Sequence, residues 1–259
     1  MPMINEKYNV ITRGDKTDTA ILLLHGIGAD HLMWHLQMNF FANKGYFVII
    51  PDLLGHGNTE YVSNITLEDW NQQILNIINF YSVNKVIIVG VSMGGVIAQN
   101  FAINHEDKIN QLILSDTFCE LKTVREKLLG YSQVIGFKVF KFLGSKMLSK
   151  GMASTYKADF AHHAKEYFSS SERSLNFQQL ILARKAINKA NLKKKLETLR
   201  LPSLIMVGDE FGGNFVRINK KIADHIPNSK FVILDKAMDP SCLTNPQRFN
   251  KEVLSFIKK

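Results

Sequence analysis

Short apolar runs alternate with amphipathic stretches along this chain, and that alternation narrows its possible folds more than any other feature. The runs lie at 8–12, 20–24, 46–50, 85–90, 111–115, 203–207 and 230–234. Several are rich in Ile, Val and Leu without strict alternation, the pattern of strands covered on both faces. Between them the spacing predicts helices at about 31–43, 67–81, 93–104, 216–226 and 246–258. The last opens on Asn245-Pro246, an N-cap followed by proline in the first turn. Its Phe249, Val253, Phe256 and Ile257 fall on one helical face. The expected fold class is α/β, a mainly parallel sheet flanked by helices. At 259 residues and 46% hydrophobic, the chain can bury such a core without disulfides or metal clamps.

The pattern breaks in the middle. From 118 to 198 no strand is evident, and Gly130, Gly136, Gly144 and Gly151 punctuate what reads as several helices. The expected organisation is a core of 1–117 and 199–259 with a helical lid insertion at 118–198. Aromatic residues of the lid, such as Phe137, Phe140 and Phe142, are expected to be core. The net charge of +9 is concentrated here. Residues 118–190 hold 13 Lys/Arg and 5 Asp/Glu, out of 32 and 23 in the whole chain. A solvated basic face is one reading; a docking surface for an acidic protein or carrier is the other.

Other classes are excluded. No apolar run approaches the roughly 18 residues of a membrane span, and the N-terminus carries no basic segment leading into an apolar one. Cys119 and Cys242 are too few for a disulfide framework or a cysteine zinc site, so a cytoplasmic protein without metal is expected. His31 and His35 stand four apart, a spacing that metals accept, but read better as helix-face residues. No phosphate loop or nucleic-acid motif accompanies the positive charge, so neither a nucleotide cofactor nor nucleic acid is expected.

The sharpest chemical signal is Gly90-Val91-Ser92-Met93-Gly94-Gly95, which follows an apolar run and precedes a helical stretch. Glycines two residues either side of a serine permit a tight strand-to-helix turn that exposes the hydroxyl beside a helix N-terminus. Two further motifs follow strands: His25-Gly26-Ile27-Gly28 and Pro51-Asp52-Leu53-Leu54-Gly55-His56-Gly57. With these three in order, the sequence resembles the α/β-hydrolase superfamily, in its lid-bearing branch of small esterases, lactonases and C–C hydrolases. The resemblance implies Ser92 as nucleophile, with the N–H groups of Met93 and Ile27 as oxyanion hole. It implies structural roles for His25 and His56 and a core position for Trp34.

The same resemblance exposes two substitutions. The family's Gly-x-x-Asp after the lid reads here Gly208-Asp209-Glu210-Phe211, which puts Phe211 at the acid position. A slip of frame restores Asp209 or Glu210. Where the family carries the catalytic histidine, this chain reads Ala237-Met238-Asp239-Pro240, and no histidine follows His225. An acid that no longer orients an imidazole gains nothing from burial, so an apolar Phe211 is the expected occupant. Asp239 has two readings: a helix N-cap before Pro240, or a proton acceptor facing Ser92. Loss of the base from a triad costs on the order of 10⁶ in turnover. The favoured function is therefore a non-hydrolytic lyase, isomerase or cyclase acting on a small apolar carbonyl compound. A serine ester, thioester or lactone hydrolase with a substituted base, Asp239 or His162/His163 of the lid, is the alternative. A ligand-binding pseudoenzyme whose basic lid docks an acidic partner is the third.

Overall fold

Seven strands form one sheet in a computed structural model that describes residues 8–170 and 175–258. Positions 1–7 and 259 of the expected core, and 171–174 of the expected insertion, lie outside the described residues. The strands are β1 (Val10–Arg13), β2 (Thr19–Leu24), β3 (Tyr46–Pro51), β4 (Val86–Val91), β5 (Ile109–Ser115), β6 (Ser203–Gly208) and β7 (Ser229–Leu234). Their order is β1-β3-β2-β4-β5-β6-β7. β1 runs antiparallel to β3 and every other pair is parallel.

The uniformly apolar strands follow from having both faces covered. Along β2, Leu22 and Leu24 belong to one buried cluster, and Ile21 and Leu23 to the other. That is the two-residue period of a strand, and each fully buried Leu or Ile contributes about 1.5–3 kcal/mol. On the first face pack α2 (Leu67–Phe80), α3 (Met93–Asn104) and α9 (Gly213–His225). On the second lie α1 (His35–Ala42) and α11 (Pro246–Ile257), where buried Trp34 meets Phe249 at 6.1 Å between ring centroids. Helix α9 begins three residues before the expected 216, because Gly212 at φ 97° makes the turn from the preceding loop.

Chain direction across the sheet reverses at β2. The chain leaves β2 for β3 on one side, then crosses back to β4 on the other. In an open parallel sheet, the carboxyl ends at such a switch leave a crevice suited to a ligand. The loop 25–28 and Ser92 both lie there.

Between β5 and β6 come α4 (Val124–Leu143), α5 (Ser145–Ala153), α6 (His162–Ser169), α7 (Phe177–Asn188) and α8 (Lys193–Leu196). An isolated bridge from Glu120 to Asn191 joins the two ends of this insertion. Three side chains fasten it to loops outside the insertion. The Tyr156 hydroxyl donates to the Asp239 carbonyl at 2.9 Å. Tyr167 Oη accepts from Asp30 N and donates to Asp30 Oδ1, both at 3.0 Å. Gln179 exchanges two bonds with the Val62 backbone. Of the insertion's aromatic residues, expected to be core, Tyr156, Tyr167 and Phe168 are buried and Phe137 and Phe140 half-buried, but on Phe142 the expectation needs correction. On α4, Val124, Leu128, Tyr131, Ile135, Val139 and Phe142 are all exposed, Phe142 at 88%. They recur every three or four residues and so form one stripe. The stripe is exposed because Gly130 and Val134 on the opposite side face the protein. No helix among the described residues is long and apolar enough to cross a membrane.

Candidate active site

Ser92 stands between the end of β4 and the start of α3 with φ 54° and ψ −117°. A left-handed φ is costly for a serine and persists only where surrounding contacts over-determine it. Those contacts are visible. Ser92 N donates to the Ser115 carbonyl at 3.0 Å, and the Thr117 hydroxyl donates to Ser92 O at 2.7 Å. Gly94 lets α3 press against β2: a Cβ there would lie 2.2 Å from the Leu24 carbonyl oxygen. Across the switch point, Gly26 comes so close that its own Cβ would meet Ser92 Cβ at 3.4 Å. The loop holding Ile27 therefore borders the serine. Met93 is the first residue of α3, and a first-turn N–H has no intrahelical acceptor. Both N–H groups expected of an oxyanion hole are thus in the neighbourhood of Ser92.

Asp239 faces this serine. The Ser92 side chain is among the groups that act on its carboxyl. Capping is not its role: the residue before α10 (Ser241–Thr244) is Pro240, and no side chain caps that helix. Burial pushes the Asp239 carboxyl well above the usual carboxylate range, and the nearby Asp116 carboxyl pushes it further. The Ser92 side chain and the charge of Arg184 oppose this without reversing it.

Asp116 and Arg184 are the two residues that sequence reasoning misses. Asp116 directly follows β5, with φ 52°, and is buried. Its Oδ1 accepts from Gly208 N at 2.9 Å; its Oδ2 accepts from Ser241 N at 2.8 Å and Ser115 Oγ at 3.0 Å. Burial raises this acid also, against those bonds. The available signal is a polar Ser115-Asp116-Thr117 at the carboxyl end of a parallel strand, where ligand-facing groups collect. Arg184, on α7, is 6% exposed and lies over the Phe118 ring with 5.5 Å from guanidinium carbon to centroid. Nothing in its local sequence distinguishes it from any helix-face arginine.

Phe211 corrects the sequence argument. It does not fill a buried acid pocket: it is 45% exposed, stacks near Phe215 at 4.9 Å, and lines a groove of about 810 Å³ between α4 and α9. Asp209 and Glu210 are exposed beside it. The buried carboxylate comes from β5 instead, as Asp116.

The histidines are occupied elsewhere. His25 Nδ1 lies 2.8 Å from Gly26 O, and its Nε2 accepts from Leu53 N at 3.0 Å. It is therefore a neutral ring joining two loops, and burial lowers its pKa. His56 packs edge-on against it. His31 is bonded to Asp52 at 2.8 Å, while His35 bonds its own helix. His162 is exposed, and His163 lines a groove beside Leu36 and Phe40. Among the described residues no histidine bonds the Ser92 hydroxyl, and no group of three or more His, Cys, Asp or Glu is arranged to hold a metal ion. The chemistry open to the site is proton transfer by a carboxyl of raised pKa beside a hydroxyl and a helix N-terminus.

Known proteins share this architecture. The model of a family described as alpha/beta hydrolase fold matches residues 19–246. The chain is 23% identical over 258 residues to 3-oxoadipate enol-lactonase 1 of Acinetobacter baylyi, covering 96% of this chain and 92% of that protein. It is 22% identical to the putative 2-succinyl-6-hydroxy-2,4-cyclohexadiene-1-carboxylate synthase of Bacillus subtilis, covering 97% and 94%. The structure of MenH from S. aureus superposes with a TM-score of 0.82 at 23% identity, covering 97% of this chain and 98% of that one.

Proposed function

Since the chain belongs to the α/β-hydrolase fold family, we propose that it is an enzyme of that family which moves a proton with Asp239 on a small carbonyl compound, as a lyase, isomerase or cyclase. Its relatives by name include both a lactonase and a synthase, so the scaffold accommodates reactions on either side of that divide. The observation that carries the reading is the Asp239 carboxyl set where the Ser92 side chain acts on it, with no histidine among the described residues bonded to that hydroxyl. A carboxyl raised out of its ordinary range is suited to acid–base work near neutrality. In this reading the carbonyl oxygen sits at the N–H groups of Met93 and Ile27. Deprotonated Asp239 takes the proton from the adjacent carbon, and the C–H electron pair passes into the carbonyl. Ser92 orients Asp239 and the substrate oxygen. The helical insertion serves as the lid, its tyrosine latches excluding water.

Proton abstraction can be measured without knowing the natural substrate. In D₂O, a panel of small ketones and oxo acids should show enzyme-dependent deuterium uptake beside the carbonyl by NMR. Asp239→Asn should abolish uptake, and Ser92→Ala should only reduce it. Full exchange in the Asp239 variant overturns the assignment. A second reading, a serine hydrolase with Asp239 as its base, is favoured by the strained backbone of Ser92. Rapid labelling of Ser92 by a fluorophosphonate would select it.

For the partner, the exposed α4 stripe lies among Arg125, Lys127, Lys138 and Lys141. This supports docking of an acidic protein or carrier on the insertion. The buried thiols Cys119 and Cys242 carry no disulfide, which suits a reducing cytoplasm.

A further inference from the structure

Arg184 is a buried cation with no ionic partner among the described residues. It is 6% exposed, its Nε finds no acceptor, and it takes part in none of the ion pairs seen there. Its guanidinium lies against the face of Phe118, two residues beyond the Asp116 that follows β5. That ring stands next to Thr117, whose hydroxyl donates to the Ser92 carbonyl at 2.7 Å, and this brings the guanidinium to the crevice of Ser92, where its charge also acts on Asp239. Burial lowers it to about 10, and it stays protonated at neutral pH. Asp239 forms no ion pair with it among the described residues, and that carboxyl shares the crevice with a buried acid, Asp116. An enclosed guanidinium offers five donors in a planar fork, and leaving it unpaired is costly. A fold tolerates that cost where a ligand supplies the missing charge.

We propose that Arg184 binds a carboxylate of the substrate, so that the ligand is a small anion bearing a carboxylate and, at Ser92, a carbonyl group. This replaces the apolar compound expected from the sequence with a charged one. The planar fork matches a carboxylate through two parallel N–H···O bonds. With one end fixed at Arg184, the reacting carbon is held against Asp239. The carbonyl part of this inference rests on the reading of Ser92 and Asp239 above; the carboxylate part does not.

Binding is measured without turnover. Acetate, propionate, succinate, benzoate and 4-oxopentanoate are each tested for raising Tm relative to chloride and sulfate at equal ionic strength. Hexane-2,5-dione serves as the uncharged counterpart of 4-oxopentanoate. The expected result is stabilisation by 4-oxopentanoate and little by the dione or sulfate. Arg184→Met should weaken 4-oxopentanoate by roughly ten- to hundredfold, the value of one charge-assisted pair. Without ligand, Arg184→Met should melt at the same temperature or higher, because removing an unpaired buried charge relieves the fold. A steep fall in ligand-free Tm assigns Arg184 a structural role and overturns the proposal. So does a protein that no carboxylate stabilises beyond chloride, or one that sulfate stabilises equally. Asp239→Asn and Ser92→Ala should keep the carboxylate effect. Deuterium exchange surviving in Asp239→Asn sinks the proton-transfer reading and leaves the carboxylate site standing; exchange without carboxylate binding does the reverse.

Discussion

Asp116 is buried and Asp239 half-buried, and the loss of water around each carboxyl favours its protonated form, which has a sign in stability. Above the unfolded carboxylate value of about 3.9, the unfolded chain has lost protons that the native state still binds. These two groups therefore make the protein less stable as pH rises from about 4 toward their raised values. We predict that Asp239→Asn raises the melting temperature at neutral pH and flattens its pH dependence, as thermal melts across that range will show. Asp52 behaves in the opposite way. Burial would raise it, but bonds from His31, Asn58 N and Asn9 bring it far below the ordinary range. His31 is raised in turn, its own burial being outweighed by the bond and charge of Asp52. The Asp52 contribution is present above about 3.9 and lost as pH falls through its depressed value. The His31 contribution is full below about 6.5 and lost as pH rises through its raised value. Asp52→Asn should cost about 2–3 kcal/mol, most of it between those two limits, in denaturant titrations at several pH values.

The strand–turn–helix around Ser92 works as a unit because glycine is required at its contact point. Gly94→Ala would drive a methyl into the Leu24 and His25 carbonyls, at 2.2 and 2.7 Å. A backbone cannot yield as a flexible side chain does, so the cost belongs at or beyond the upper end of the roughly 1–3 kcal/mol of overpacking. Urea unfolding measures it. The insertion is held differently, by hydroxyls. Tyr156→Phe removes one bond to the core and Tyr167→Phe removes two, each worth about 1 kcal/mol. Hydrogen exchange should then quicken in α6 and leave the strands β2 and β4 unchanged. Faster exchange in both regions alike would mean that the insertion and sheet unfold together.

Charge and apolar surface are both concentrated on the insertion, and they set how the protein meets its surroundings. A docking face made of Arg125, Lys127, Lys138 and Lys141 predicts partner affinity that falls steeply with salt, whereas binding by the α4 stripe alone would hold or strengthen. Leu128→Ser with Phe142→Ser should leave stability within about 0.5 kcal/mol, as exposed sites do, yet reduce binding of an apolar dye. The strands are legible in the sequence because covering both faces of a parallel sheet demands continuous Ile, Val and Leu, and every expected run is a strand within one or two residues. Ser92 is legible because a strained turn between strand and helix admits few residues beside it, and Asp239 because the chain around it keeps its spacing to Pro246. What stays hidden are partnerships between segments far apart along the chain. Asp116 joins Ser241, 125 residues away, Arg184 comes to the site only when α7 packs against α3 and α4, and α4 turns its apolar side outward because the opposite side meets the protein. Local periodicity reports which way a residue points relative to its neighbours; only the folded chain sets what stands opposite it.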